Sequence, residues 1–597
     1  MRSRWRALGA RLRPHRLALV IFALASVWVM SNMWLDPAGR IMSNNPGGDQ
    51  ELFEWMLQHT AYCVTHFENP LGTHLMNAPK GVNLMANTSV IAIGIVMTPF
   101  TLLLGAPFAY TLAMTIGLFG TAAGWYYVLV RHLRLSRLAA FVGAALCAFG
   151  PATMSHANAH LNFTAMILVP FIIAQILRLR EDGRWLRSGI CLGLLLTVQM
   201  FIGEEIVFLI ALFMMVFTLF YAFVQWDDVR SWIGRYAKGL GIAAAVATPL
   251  LAFPLWWQFF GPQSYVGIPW AARSFEADVA SYVALPTGSI AGTLQPPGFA
   301  LRHNPTEENA FYGWGLALLV IVFAVWLWRN HRALRAAALA SLVFILFSFG
   351  PEIKINGWWT GIPGPYRLVE HIPLIDSTLP TRLSLPLLPV VALMVAFGID
   401  KVRAIGADLP KPRRGESAVR HQLRLGWFAA VAVALLPLLP LPVVTSARTP
   451  IPAFFTDGAW KPYVSDGGTL VPVPLPGDVN WTGMRWQVAA DLGFAIPLGA
   501  FIGPNVKDHD KGMWSAPRNP TANLIFWVTQ TGQVPEVTDV QRAQARVDLE
   551  GWKAEVVVLQ ETAANTALLS MLTDMLGEPV KVKDVWVWDV RGFVAGE

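Results

Sequence analysis

The chain has 597 residues, of which 54% are hydrophobic and only 14% charged, and its mean hydropathy is +0.46. A water-soluble domain carries about 25% charged residues, so a soluble globular protein is excluded. The net charge of +7 does not point to nucleic acid, because the basic residues form short clusters between apolar runs and no soluble stretch carries a basic stripe interleaved with aromatics. Cys63, Cys147 and Cys191 are the only cysteines, which excludes a disulfide framework and any CxxC motif.

Residues 1–16 hold six arginines and precede the apolar run Leu17–Leu35. That run is too long for a signal peptide and no small-residue cleavage site follows it. It is predicted to be a retained first helix with its basic end in the cytoplasm. Further spans are predicted at about 108–130, 138–154, 164–177, 188–203, 206–225, 239–257, 313–328, 336–350, 383–399 and 425–446. With the first, these make eleven helices, since most of the runs match a hydrocarbon core about 30 Å thick.

The apolar stretch Val90–Leu104 is read as interfacial or re-entrant. Were it to span, every basic cluster after it would face outside. With it left out, 26 of the 45 Lys and Arg fall in cytoplasmic segments and seven in outward loops, as the positive-inside rule demands. The expected organisation is therefore a cytoplasmic N-terminus (1–16), a polytopic α-helical membrane domain (17–446) and a small extracytoplasmic α/β domain (447–597). Large outward loops lie at 36–107, 258–312 and 351–382. Within the C-terminal part, Thr469–Val473, Glu555–Leu559 and Val585–Val590 read as strands and Ala563–Leu576 as a helix. The short basic loops hold no P-loop and no GxGxxG between a strand and a helix.

Polar residues concentrate in the outward segments. In the first loop, Asp49 follows two glycines and opens an amphipathic stretch, Leu52, Phe53, Trp55, Met56 and Leu57. It reads either as an N-cap or as a base held at the water–lipid boundary. The link between the third and fourth spans carries His156, Asn158, His160 and Asn162. Two histidines four apart share a helical face, but two ligands do not make a metal site. Glu204 and Glu205 sit at a tight helical junction, where carboxylates near lipid must be hydrated, protonated or paired, for instance with Arg382 or a histidine. Glu307, Glu308 and Asn309 precede the eighth span. Arg382 opens the tenth and suits either phosphate recognition or snorkelling to headgroups. The 25 Trp read mostly as an interfacial belt. Trp256-Trp257 and Trp358-Trp359 are minority candidates for a sugar or lipid groove.

This arrangement resembles the GT-C superfamily, integral membrane glycosyltransferases that use polyprenyl-phosphate-linked sugars. The resemblance rests on the basic N-terminus and first span, Asp49 in the first outward loop, the non-spanning Val90–Leu104 and the span LAAFVGAALCAFGPATMSH leading into the second outward loop. It covers roughly residues 15–260. It implies a general base at Asp49, with Asp36 second, and a donor phosphate met by Arg382 or Lys80. His156, His160, Glu204, Glu205 and Glu308 would orient the substrates. The family's acidic metal pair in the second outward loop is missing, with His156, Asn158 and His160 in its place, so a divalent cation is not favoured and no other cofactor is implied. The implied partners are a polyprenyl-phosphate sugar donor, a glycan, lipid or protein acceptor on the outer face of the plasma membrane, and membrane lipids. The alternatives are a transporter or flippase of lipid-linked saccharide, or a non-catalytic envelope-assembly protein.

Overall fold

The computed structural model describes residues 13–43, 48–269, 274–294, 301, 304–405, 414–477 and 480–595. The expected basic N-terminus, and Arg273 and Arg302 of the second large loop, lie largely outside them. The predicted spans are helical over most of their lengths, the last giving way after Leu438 to an extended stretch that ends in the strand Thr445–Ala447. Among the described residues, six helices are long and apolar enough to cross a membrane by length and composition: Ala106–Arg131, Arg137–His156, Glu204–Val224, Trp226–Phe260, Pro380–Ala404 and Val419–Leu438.

Several boundaries differ from expectation for local reasons. The first segment stops at Val29 and restarts at Ser31–Trp34. The segment at 164–177 is two pieces, Leu161–Thr164 and Val169–Arg178, the second with a proline in its first turn, where the missing N–H costs nothing. The basic loop before the seventh segment is itself helical, so that Trp226–Phe260 runs for 35 residues. Small residues bring it against Trp185–Met200: a Cβ on Gly189 or Gly193 would come within 2.6 Å of the Gly239 or Ala243 carbonyl. This is the close approach that a GxxxG spacing permits.

The stretch read as non-spanning forms the helix Ile91–Leu104, about 21 Å long at 1.5 Å per residue, short of the about 30 Å core. Left-handed Val90 (φ 47°) and Gly105 (φ 83°) bracket it. It packs along Asp49–His66, where Gly94 sits against Thr60.

The C-terminal region carries a four-stranded mixed sheet. Thr469–Val473 runs parallel to Ala554–Gln560, which pairs antiparallel with Val585–Asp589, and Val580–Val582 completes the order. Alternation assigns the two faces. Leu470, Val556, Val558, Val585 and Val587 join the core shared with the helical bundle. Val471, Val473, Val557, Leu559 and Trp588 pack instead under Pro520–Thr531, Asp539–Gly551 and Thr566–Leu576.

The first loop is the seat for this region. Arg40–Met42 pairs with Thr445–Ala447. Trp55 Nε1 donates to Gln487 Oε1 at 2.9 Å, and Asn87 exchanges two hydrogen bonds with the Ile502 backbone. Arg448 forms a bidentate pair with Glu54 and donates from Nε to the Arg40 carbonyl at 2.7 Å. Both partners are buried.

Candidate functional site

Five separate stretches of chain converge at one end of the helices. The first is the start of Asp49–His66. Gly48, just before it, has φ 72°, and a Cβ there would fall 2.3 Å from the Trp481 indole. Backbone conformation and crowding both require glycine. Asp49 is thereby the first residue of the helix, not its cap.

Asp49 Oδ2 lies 3.0 Å from His160 Nε2, and His160 Nδ1 lies 2.8 Å from His156 Nδ1. An ionised Asp49 accepts the Nε2 proton, which leaves His160 Nδ1 as a lone pair facing the His156 N–H. His156 ends the short helix Pro151–His156, which Gly150 sets off from Arg137–Phe149. Its buried ring stacks on Phe163 at 4.4 Å.

Arg382 forms the second half of the cluster. It donates to Glu205 Oε2 at 2.6 Å and to Glu307 Oε1 at 2.7 and 3.1 Å. Its guanidinium lies 4.8 Å from the Phe163 ring centroid, so one aromatic ring touches both halves. Glu307 Oε2 accepts from Asn309 at 2.8 Å. One ligand atom from each of His156, His160 and Glu307 lies within 4.8 Å of the others.

The structure thus joins Asp49, His156, His160, Glu205 and Arg382. The remaining expected residues go elsewhere. The Asp36 carboxylate accepts the Gly39 N–H at 2.9 Å and closes an exposed turn. Lys80 is exposed in the 77–81 turn, whose backbone donates to Leu498. Glu204 lines a small gap with Ser89 and Met200. Glu308 accepts both the Thr287 N–H and hydroxyl, at 2.8 and 2.7 Å, while its neighbour Glu307 faces the cluster. Glu307, and not the expected Glu308, is the carboxylate that joins the cluster. Arg382, expected as a phosphate clamp, spends three nitrogens on two carboxylates and holds them in place. The histidine pair, set aside as a metal signal, has a third potential donor nearby in Glu307.

Phe163 and Trp481 escape sequence reasoning, because nothing along the chain marks an apolar ring that will meet Arg382 or Gly48 from a distant segment. Glu307 was visible within its motif, but nothing in one dimension separates it from Glu308.

Residues 18–399 match the family described as a domain of unknown function, DUF6311, which is more than half of the chain. The chain belongs to the DUF6311 family. No curated protein sequence matches it. Among solved structures, this DUF6311 chain is similar to the arabinofuranosyltransferase AftD from Mycobacteria. The TM-score is 0.52 at 14% identity, over 97% of this chain and 40% of AftD. The DUF6311 chain therefore spans well under half of that protein, and the likeness is one of fold. The oligosaccharyltransferase AglB from Archaeoglobus fulgidus, solved with an inhibitory peptide and a dolichol-phosphate, is also similar. Its TM-score is 0.47 at 13% identity, over 94% of this chain and 71% of AglB. The fold of this chain is thus similar to that of AftD, mostly helical with several helices long and apolar enough to cross a membrane.

Proposed function

We propose that this protein transfers a sugar from a polyprenyl-phosphate donor to an acceptor hydroxyl of a cell-envelope glycan, lipid or protein. The cluster would lie on the extracytoplasmic face of the plasma membrane, beneath the region 447–597. The observation that carries this reading is the joining of Asp49, His160 and His156 to Glu205, Arg382 and Glu307 at one helix end.

The reaction is displacement at the anomeric carbon. The acceptor oxygen forms the new bond, the bond to the phosphate oxygen breaks, and the phosphate leaves with the electron pair. Asp49 acts as the base: its carboxylate takes the acceptor proton, and the hydrogen bond from His160 Nε2 holds and orients it. Arg382 keeps the Glu307 and Glu205 carboxylates facing the site.

The donor set also fits a divalent cation. Asp49 on Nε2 leaves His160 Nδ1 without a proton of its own, the way an outer carboxylate orients a ligand histidine, and two carboxylates, Glu205 and Glu307, meet one guanidinium. His156, His160 and Glu307 would hold the ion, which would offset charge on the departing phosphate.

The test is donor breakdown by the purified chain with a panel of polyprenyl-phosphate sugars, alongside Asp49→Asn. Donor breakdown lost in the variant supports the reading. Movement of lipid-linked sugar across vesicles without breakdown would replace it with the transporter.

A further inference from the structure

The helix Arg332–Ser348 ends in the apolar run LVFILFS, and its Leu342 and Leu346 face outward. Four residues later the chain enters a hairpin, Glu352–Ile355 paired antiparallel with Trp358–Pro363. Every residue of the second strand is exposed. Trp358 is 78% exposed, Trp359 52% and Ile362 54%, and Leu368 just beyond is 82% exposed. Ile355, Ile372 and Leu374 add to the same apolar surface.

Two-stranded hairpins with an apolar face are marginal in water, yet this one is firmly held. Asp278 is fully buried and accepts the Asn356 and Gly357 N–H groups of the turn at 2.9 and 2.7 Å, and the Ala280 N–H at 2.8 Å. Glu352 accepts the Gly361 N–H at 2.9 Å, and the Pro351 carbonyl accepts from Gly364 at 2.9 Å. A hydrogen-bonded support thus presents aromatic rings outward. Basic groups flank the rings: Lys354 lies 5.3 Å from the Trp359 ring centroid, and Arg367 is exposed nearby.

We propose that residues 352–374 form an interfacial anchor, with Trp358, Trp359, Ile362 and Leu368 seated in the headgroup layer of the bilayer. Three observations select lipid over a protein partner. The surface continues the outward apolar side of a helix that ends four residues before it. Its mixture of Trp with Lys and Arg is the one that settles at a membrane–water boundary. Its large apolar side chains, exposed in water on an unpaired edge strand, would otherwise be an aggregation site. The anchor is also tied to the site. Asp278, which holds the turn, lies two residues from Glu276, and Glu276 and Glu307 line one small cavity. The proposal depends on the membrane character of the chain and not on the transferase reading.

The full chain, with Cys63, Cys147 and Cys191 replaced by Ala, is reconstituted in phosphatidylcholine–phosphatidylglycerol nanodiscs. A fluorophore is attached at Trp358→Cys, at Ile362→Cys in a second variant, and at Val540→Cys as an exposed control in the C-terminal region. Lipids carrying a nitroxide in the headgroup region should quench the hairpin labels on the order of threefold more than the control, since aromatic anchors lie at headgroup depth. Iodide should quench the control more than the hairpin. Equal quenching of hairpin and control by iodide would overturn the proposal. So would hairpin labels shielded from both quenchers, which would mean cover by protein.

Discussion

At the residue scale, the site turns on what Asp49 can do once Gly48 and Trp481 fix its place. Asp49→Asn keeps the shape and removes the charge, so turnover should fall by about 10²- to 10⁴-fold, with the melting temperature little changed. A larger stability loss than activity loss would make Asp49 a structural residue. His160→Ala should show a comparable loss of turnover, and the double variant should lose little more, because residues acting as one unit are not additive. Gly48→Ala meets two penalties, a positive φ and the Trp481 ring, at about 1–3 kcal/mol together. Adding Trp481→Ala relieves the crowding and not the dihedral, so a thermal melt of the double variant should recover only part of the loss.

At the scale of elements, the helix Asp49–His66 carries the site residue at its first position and the clamp to the C-terminal region one turn on. Glu54 and Arg448 are both buried, and removing one partner leaves an uncompensated charge. Arg448→Ala should therefore cost about 3–5 kcal/mol, read as a drop in unfolding midpoint. Replacing both by apolar residues of similar volume should return much of it, which would separate a pairing effect from lost packing. The same clamp explains why the first loop was legible only in part. Its amphipathic run pointed to a helix, but that Trp55 on it would donate to Gln487 of the C-terminal region had no local signal.

For the whole molecule, the seam between first loop and C-terminal region should respond to pH. Burial raises the Glu51 carboxyl from 4.5 to about 7, against the lowering influence of Arg448. The folded state then holds a proton that the unfolded state has released. The stabilisation from that proton is complete below about pH 4.5 and is lost as pH rises through about 7. Glu51→Gln should flatten the stability profile between those values, measured by thermal unfolding of the detergent-solubilised chain. An unchanged profile would place the titration in another group.

The amino-acid sequence alone pointed to the membrane class, the mostly helical architecture and the strand pattern of the C-terminal region. These are local properties: apolar length, charge bias and period-two alternation act over tens of residues. It also picked out most of the site's polar residues, because carboxylates and histidines at helix ends are costly near lipid wherever they occur. Only the tertiary structure decided which of them meet. Whether Glu307 or Glu308 faces inward depends on the turn of one short segment against Ser155 and Thr287. Whether Arg382 binds a ligand or two carboxylates depends on segments 75 and 177 residues away. Such choices rest on contacts between distant parts of the chain, and no periodicity along it encodes them.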